Sequence, residues 1–217
     1  MSKSTVPTSV IRRLPRYYRF LGELENQGAL RISSRELSER MGSTASQIRQ
    51  DFNCFGCFGQ QGYGYNIKEL REKIGNILGV NAISPMILLG AGNLGKAIAT
   101  HIDFEKRGCR LIGIFDSNPD VQGRIIGELE VKSTDLLEEF CKTEKPIAAV
   151  LCIPKTETAA AAAQLISYGI RAFWNFSHYD LKFEHSDIIV ESVHLGDSLM
   201  TLAFGLHKIT GESDSGR

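Results

Sequence analysis

Met86-Ile87-Leu88-Leu89-Gly90-Ala91-Gly92-Asn93-Leu94-Gly95-Lys96 is the stretch that decides the fold. Met86 to Leu89 has the length and composition of a strand buried on both faces, and it runs directly into G-x-G-x-x-G and a helix predicted over Lys96 to Lys106. Each glycine has its own reason to be there. Gly90 permits the tight turn from strand to helix, Gly92 lets backbone approach a pyrophosphate, and Gly95 lets the helix lie close to the sheet. Ala91, Asn93 and Leu94 complete the turn, where a helix N-terminus offers free N–H groups and a partial positive charge to phosphates.

Further on, Leu111-Ile112-Gly113-Ile114-Phe115 reads as a second strand ending in Asp116, 21 residues after Gly95. A carboxylate there accepts from both hydroxyls of an adenosine ribose and repels a 2'-phosphate, which selects NAD(H) over NADP(H). Ser117, Asn118 and Pro119 bring no cation to reverse that preference. A glycine turn beside an unrelated surface Asp is the alternative, and the full order of strand, turn, helix, strand and acid weighs against it.

The 217 residues, 42% of them apolar, allow one large or two small domains with real cores. No run approaches the ~18 to 20 apolar residues of a membrane span, and Met1-Ser2-Lys3-Ser4-Thr5-Val6-Pro7 lacks an apolar signal core, so a cytoplasmic protein is expected. Five scattered cysteines fit a reducing compartment and make no disulfide framework. The zero net charge conceals a division. Residues 1–75 hold twelve Lys and Arg against seven Asp and Glu, a net of +5, and the remainder holds thirteen against eighteen, a net of −5. The basic third is a candidate partner for a polyanion.

In that basic third, Ser9 is placed to cap a helix over Val10 to Gln27, with Ile11, Leu14, Tyr18, Leu21 and Leu24 at three- and four-residue steps and Gly28 ending it. Its other face carries Arg12, Arg13, Arg16 and Arg19, either a solvated face or one that meets phosphates. Ser33-Ser34-Arg35-Glu36 has capping-box spacing and starts a short helix that stops at Gly42; Thr44-Ala45-Ser46-Gln47 repeats the device. Two short helices joined by Met41-Gly42-Ser43 predict a helix-turn-helix whose second helix presents Ser46, Gln47, Arg49 and Gln50 outward while Ile48 and Phe52 pack inward. Arg and Gln are side chains that read guanine and adenine edges in a major groove.

Gly56 to Tyr65 alternates glycine with aromatics too densely for a helix and predicts a β-hairpin, which after a helix-turn-helix is a wing. Its tip is not basic, so contacts there fall to backbone N–H groups, Gln60 or Gln61. A helix over Ile67 to Leu78 closes the domain, and Gly79 to Pro85 links it to the rest. Cys54 and Cys57 form a C-x-x-C with no second pair or histidines nearby to complete a four-ligand metal site, and read as two unrelated thiols.

After Asp116, Thr134 to Lys142 is expected as a helix and Pro146 to Ile153 as a buried strand. Cys152 ends that strand and Pro154 breaks it, at the place where strand ends line a ligand crevice. A helix from Thr156 to Gly169, strands over Arg171 to Phe176 and Ile188 to Val193, and a last helix over about Asp197 to Lys208 complete the alternating order of a doubly wound parallel sheet. Asn175, at a strand end, is placed to touch the nicotinamide end of a cofactor. The apolar stripe Leu199, Leu202, Ala203, Leu206 and Ile209 packs either on its own sheet or on a second copy. The division expected is a winged helix over 1–79, a Rossmann-type α/β domain over 80–211, and a disordered tail over 212–217.

Taken together, Ser46-Gln47-Ile48-Arg49-Gln50-Asp51-Phe52, the glycine-rich wing through Gly62, Gly64 and Tyr65, Gly90-Ala91-Gly92-Asn93-Leu94-Gly95, Phe115-Asp116 and Asn175-Phe176 resemble the Rex family of bacterial redox-sensing transcriptional repressors, from about Ile11 to Lys208. The resemblance implies a homodimer with its last helix exchanged between subunits. It also implies binding of a palindromic double-stranded operator when NADH is scarce, and release when NADH rather than NAD+ is bound, so that fermentation and respiration genes are derepressed. By position it assigns Gln47 and Arg49 to the recognition helix, Gly62 and Gly64 to the wing, and Gly90, Gly92, Gly95 and Asp116 to the nucleotide site. In two places the chain departs from the family. Val193-His194-Leu195 stands where Val-Asp-Leu is usual, removing the acid expected to pair with an arginine at Arg19, and His101 stands where many relatives carry an aromatic hydroxyl. Arg19, His101 and His194 are therefore the switch candidates.

Two other classes compete. An NAD-dependent dehydrogenase would need a catalytic group, but the Rossmann part leaves no room for a separate substrate domain. Tyr168 and Tyr179 are followed at the fourth position by Ala172 and Phe183 rather than lysine, and His101, His178, His185 and His194 lack evident partners. No catalytic and no metal-binding residue is expected. A nucleotide-binding regulatory subunit that docks other proteins through its N-terminal helices is the third class.

Overall fold

The computed structural model describes residues 6–57, 59 and 63–211. Gly62, the wing tip around it and the tail 212–217 lie outside these residues. The chain divides into two compact units, one ending at Ala82 and one beginning at Ile83.

The first unit opens with α1 (Thr8–Ile11) and α2 (Leu14–Asn26) rather than one continuous helix from Val10. Pro15 sits in the first turn of α2, where its missing N–H costs nothing, and it prevents continuation from α1. Ser9 falls inside α1 and caps nothing. Val10, Leu14, Tyr17, Leu21 and Leu24 are the buried stripe, so Tyr17 rather than Tyr18 faces the core. Strand β1 (Arg31–Ile32) leads to α3 (Ser34–Met41), which begins with the expected capping box: Ser33 Oγ accepts from Glu36 N at 3.1 Å and Glu36 Oε2 accepts from Ser33 N at 2.9 Å. Gly42, at φ 61°, ends α3 in the left-handed conformation. Thr44 Oγ1 accepts from Gln47 N at 3.1 Å and starts α4 (Ala45–Asn53), whose Ile48 and Phe52 are fully buried.

Strand β2 (Tyr65–Asn66) pairs antiparallel with β1, and the tip of the expected hairpin lies outside the described residues. Gly64 is required by that pairing: at φ 68°, a Cβ on it would lie 2.4 Å from the Ile32 carbonyl oxygen. Asn66 then caps α5 (Ile67–Leu78), the helix foreseen from its periodicity, and α5 packs on α2.

A buried carboxylate ties the unit together. Asp51, on α4 and 1% exposed, accepts from Arg13 Nε and Nη2, both at 2.7 Å, from Tyr17 Oη at 2.8 Å and from Gln47 Nε2 at 2.8 Å. Helices α2 and α4 are thereby cross-linked through one side chain. Arg16 adds a bond to the Met41 carbonyl at 2.6 Å, closing the C-terminal end of α3.

In the second unit, β3 (Ser84–Leu89), α6 (Asn93–His101), β4 (Cys109–Asp116), β5 (Ile125–Ile126), β6 (Leu129–Ser133), α7 (Leu137–Glu144), β7 (Ala148–Leu151), α8 (Lys155–Ser167), β8 (Ala172–Asn175), β9 (Ile189–Ser192) and α9 (Leu195–Gly211) follow in order. Their sheet runs β5-β6-β4-β3-β7-β8-β9, all neighbours parallel except the edge pair β5 and β6. Without β5, that is the order 3-2-1-4-5-6 of a dinucleotide-binding fold. The central strands are buried on both faces. Ile87 and Leu89 of β3 pack with α7 and α8 residues Leu137, Cys141, Ala162 and Leu165, while Met86 and Leu88 pack with Ile98 of α6 and with Phe104.

Helix α6 begins at Asn93 and ends at His101, shorter than the run to Lys106, and a 3-10 turn over Glu105–Arg107 leads to β4. The expected helix from Thr134 opens as a 3-10 turn before α7. The short β5–β6 hairpin has no counterpart in the periodicity, because two two-to-five-residue strands at a sheet edge carry little apolar pattern. No helix among the described residues is long and apolar enough to cross a membrane.

The Asp51 network makes the first unit's stability pH-dependent. Burial alone would raise the Asp51 carboxyl, but donation from Arg13, Tyr17 and Gln47 outweighs it and holds the group below the usual carboxylate range. The unfolded chain, with a carboxyl near ~3.9, therefore takes up the proton first, so the contribution is complete above about pH 5 and is lost as pH falls through the depressed folded value. Asp51→Ala, which leaves the buried Tyr17 hydroxyl without its acceptor and the partly exposed Arg13 guanidinium without its partner, is expected to destabilise the unit by about 1 to 3 kcal/mol at pH 7. Protection factors of the α2 and α4 amides, obtained by hydrogen exchange and mass spectrometry and referred to the intrinsic exchange rate at each pH, are expected to fall between pH 7 and 3 in the wild type and to be low throughout in the variant.

Candidate functional site

The nucleotide site is built where the sheet reverses direction, with β4 on one side of β3 and β7 on the other. There the carboxyl ends of β3 and β7 part, and α6 and α8 start beside the crevice between them. Gly90 turns at φ 94°, and a Cβ on it would lie 2.4 Å from the Cys152 carbonyl oxygen. A Cβ on Gly95 would meet the Gly90 carbonyl oxygen at 1.8 Å, so no side chain fits between the first turn of α6 and the end of β3. Gly92 is different. Nothing of the protein lies within 4 Å of where its Cβ would be, and the side on which a pyrophosphate would approach is open. Gly92 is also the N-cap of α6 and gives no side-chain cap, leaving N–H groups of Asn93, Leu94 and Gly95 for an anion.

Asp116, half-buried at the end of β4, is already engaged with this turn. Its Oδ2 accepts from Ala91 N at 2.6 Å, and its Oδ1 accepts from Asn118 N at 2.8 Å. The carboxylate thus fixes the glycine turn to the second strand, and each oxygen keeps lone-pair capacity for a ribose hydroxyl. Gln122, unmarked by any motif, donates to the Asp116 carbonyl at 2.9 Å and holds the following loop.

The other predicted cofactor residues are placed unequally. Cys152 follows β7, with its carbonyl against Gly90, and burial pushes its thiol up to about 12, so it is a neutral thiol at physiological pH. Pro154 caps α8, its carbonyl accepting from Thr158 Oγ1 at 2.9 Å. Asn175 is fully buried with both ends of its amide used: Nδ2 donates to the Tyr179 carbonyl at 2.7 Å, and Oδ1 accepts from Ser177 N at 3.0 Å and Ser177 Oγ at 2.7 Å. It shapes the turn after β8 rather than presenting a free amide.

That turn carries the pairing sequence reasoning missed. His178 stands at φ 59°, and its Nδ1 is 2.8 Å from Nδ1 of His194, with the rings stacked at 4.9 Å between centroids. The two are sixteen positions apart in the chain, and only the parallel register of β8 and β9, in which Asn175 faces Ser192, brings them together. Leu195, which opens α9, follows directly. His101 is the exposed last residue of α6, and Arg19 is exposed on α2 in the other unit.

In the first unit, Ser46, Arg49 and Gln50 are exposed on α4, with Arg49 Nη1 donating to Ser34 Oγ at 3.2 Å. Gln47 is half-buried and faces Asp51 along its own helix. Of the arginines on the first helices, Arg12 is exposed, whereas Arg13 and Arg16 are committed to Asp51 and the Met41 carbonyl. Among the described residues no group of three or more His, Cys, Asp or Glu is arranged to hold a metal ion, and the five cysteines are free thiols.

Comparison with known proteins covers both units. The family model "Putative DNA-binding protein N-terminus" matches residues 5–53, and the model "CoA binding domain" matches residues 81–179. The chain is 52% identical over 209 residues to the redox-sensing transcriptional repressor Rex of Thermoanaerobacter sp. (strain X514), spanning 96% of this chain and 93% of that one, and 47% identical over 205 residues to Rex of Clostridium perfringens (strain SM101 / Type A), spanning 94% and 96%. It also superimposes on the crystal structure of RSP in complex with beta-NAD+ and operator DNA, with a TM-score of 0.87, 50% identity and 96% of each chain covered. RSP in complex with beta-NADH gives a TM-score of 0.87 and 47% identity over 96% of this chain and 97% of that one. With half its residues shared over nearly its whole length, carrying both an open glycine turn answered by Asp116 and a capped helix-turn-helix, the chain belongs to the Rex family of redox-sensing transcriptional repressors.

Proposed function

We propose that this protein is a redox-sensing transcriptional repressor that grips duplex operator DNA with its first unit and reads the NADH/NAD+ ratio with its second. The observation that carries the reading is the presence in one chain of a helix-turn-helix with its outer face exposed and a nucleotide turn with its N–H groups unspent. The α4 residues Ser46, Gln47, Arg49 and Gln50 enter the major groove. Arg12, with Arg13 and Arg16 in support, meets the phosphates, and Gly62 and Gly64 bring the wing near the backbone. Gly90 to Gly95 and Asp116 hold the dinucleotide, with Cys152 and Pro154 lining the crevice and Asn175 shaping its far end. The nucleotide is a signal here rather than a hydride carrier, and the protein acts in the cytoplasm.

A palindrome implies two copies whose recognition helices lie one helical turn apart, ~34 Å. Helix α9 supplies a surface for the pairing: its apolar Leu199, Met200, Leu202 and Phe204 are between 58% and 66% exposed, and burying that stripe on a second copy, in exchange for the partner's helix, removes it from water. A nucleotide that prefers one arrangement of the paired chains then controls DNA binding. Shifting the population from 1:99 to 99:1 takes about 5.5 kcal/mol of differential affinity. In this chain the His178–His194 contact takes the position of the family's acid at the root of α9, and Arg19, His101 and His194 remain the residues through which the switch is tuned.

Three measurements test this reading. Fluorescence anisotropy of a labelled palindromic duplex at fixed salt is expected to show release on titration with NADH and retention with NAD+; binding indifferent to both would leave the nucleotide site without a regulatory role. Asp116→Asn removes a charged acceptor for ribose hydroxyls and is expected to weaken NADH about 10- to 100-fold while narrowing its advantage over NADPH, as read by calorimetric titration. Phe204→Asp on α9 is expected to convert a dimer into a monomer in size-exclusion chromatography with light scattering.

A further inference from the structure

His178 and His194 meet nitrogen to nitrogen. Their Nδ1 atoms are 2.8 Å apart, their ring centroids 4.9 Å apart and their ring planes 30° from parallel. Two bare lone pairs do not share that distance, so the pair needs either a hydrogen on one Nδ1 or a cation between the two. The backbone holds both rings in place. His178 stands at φ 59°, in the left-handed region, a conformation that histidine keeps only where its surroundings enforce it. Asn175 does so: fully buried, it closes the turn by donating to the Tyr179 carbonyl and accepting from Ser177 N and Oγ. On the facing segment, Val193 N donates to the Asn175 carbonyl at 2.8 Å, and the His194 carbonyl accepts from Asp197 N at 3.1 Å in the first turn of α9. His178 is exposed and His194 half-buried, so solvent reaches the pair.

We propose that His178 Nδ1 and His194 Nδ1 form a chelating site for a divalent late transition-metal ion of the Ni2+ or Zn2+ class at the root of α9. The geometry fits. At metal–nitrogen distances of about 2.0 to 2.1 Å, two imidazoles held at about 90° to 109° around one ion have their nitrogens about 2.8 to 3.4 Å apart and their ring centroids about 4.5 to 5.3 Å apart. The observed 2.8 Å and 4.9 Å fall within those ranges, so the ion requires small ring rotations and no movement of the backbone. The hydrogen between the rings moves to Nε2 of the ring that carried it, which turns both Nδ1 lone pairs to the metal and releases no proton from the neutral pair. Imidazole nitrogen suits Ni2+ and Zn2+, whereas Mg2+ and Ca2+ take oxygen ligands. With two protein ligands, water completes the coordination shell, and the affinity is that of a site with half the ligands of a structural zinc centre, a Kd of about 1 to 200 µM. One ligand follows β8 and the other directly precedes α9, so the ion ties the start of that helix to the sheet. The site goes beyond the DNA-binding and nucleotide-reading roles above and stands or falls apart from them.

The test uses the full-length protein. Calorimetric titration with NiCl2, and separately with ZnCl2, is expected to show one site per chain in that affinity range. His178→Gln and His194→Gln are each expected to weaken it about tenfold or more, while His207→Gln leaves it unchanged. Binding that survives both of the first two variants assigns the ion to other groups, thiols included, and overturns the proposal, as does affinity no tighter than about 1 mM. Proton–nitrogen correlation spectra of the imidazoles in the wild type supply a readout independent of any variant's folding. Zn2+ is expected to shift Nδ1 of both His178 and His194 and to leave each ring with its hydrogen on Nε2. A shift at Nε2, a shift confined to one ring, or no shift at saturating Zn2+ overturns the site, and MgCl2 is expected to reproduce none of these changes.

Discussion

The second half of this protein depends on a backbone approach that no side chain can enter. The first turn of α6 lies so close to the end of β3 that a Cβ on Gly95 would sit 1.8 Å from the Gly90 carbonyl oxygen, and Gly90 itself is pressed against the carbonyl of Cys152 on the neighbouring strand. The close packing does two things at once. It brings α6 flat against the apolar face of the sheet, where Ile98 completes the core with Met86 and Leu88, and it aims the N–H groups at the start of α6 into the crevice. Structure and ligand site share one constraint, which is why the glycine spacing announces both. Asp116 extends the arrangement sideways, since its bond to Ala91 N ties the turn to β4 before any ribose arrives.

The first half has a different organising contact. Its helices are short, and the core formed by Leu14, Leu21, Leu37, Ile48 and Phe52 is small, so the relation of α4 to α2 is set as much by the hydrogen bonds to one buried carboxylate as by apolar packing. Asp51 is too deeply buried to remain charged without compensation, and Arg13, Tyr17 and Gln47 supply it. The arrangement changes the meaning of the arginine-rich face. Arg13 and Arg16 are structural struts as well as cations, while Arg12 and Arg19 stand exposed. A protein that must present one helix to a rigid groove gains from having that helix braced by directional bonds, because apolar contacts alone permit small rotations.

Much of this was legible along the chain. The glycine turn, the strand-end Asp116, the capping box at Ser33, the cap at Thr44 and the helix over Ile67–Leu78 all arise from interactions between residues within a few positions of each other, or from one strand with one period. The errors came where local pattern is weak or misleading. Pro15 split the first helix, and the phase of its buried face moved from Tyr18 to Tyr17. The edge hairpin of β5 and β6 was too short to show a period. The pairing of Tyr65–Asn66 with Arg31–Ile32, more than thirty residues earlier, leaves no mark in the local pattern.

By itself the sequence determined the two-part organisation, the order of strands and helices, and the chemistry of the nucleotide turn, because glycine tolerance, capping and apolar period act over short distances. Only the tertiary structure decided how side chains far apart in the chain share their hydrogen bonds. It committed Arg13 to Asp51 across thirty-eight positions, closed both ends of the Asn175 amide within its own turn, and set His178 against His194 through the register of two parallel strands. Those outcomes follow from which donors and acceptors become neighbours once the core excludes water, and a list of residue types carries no such information.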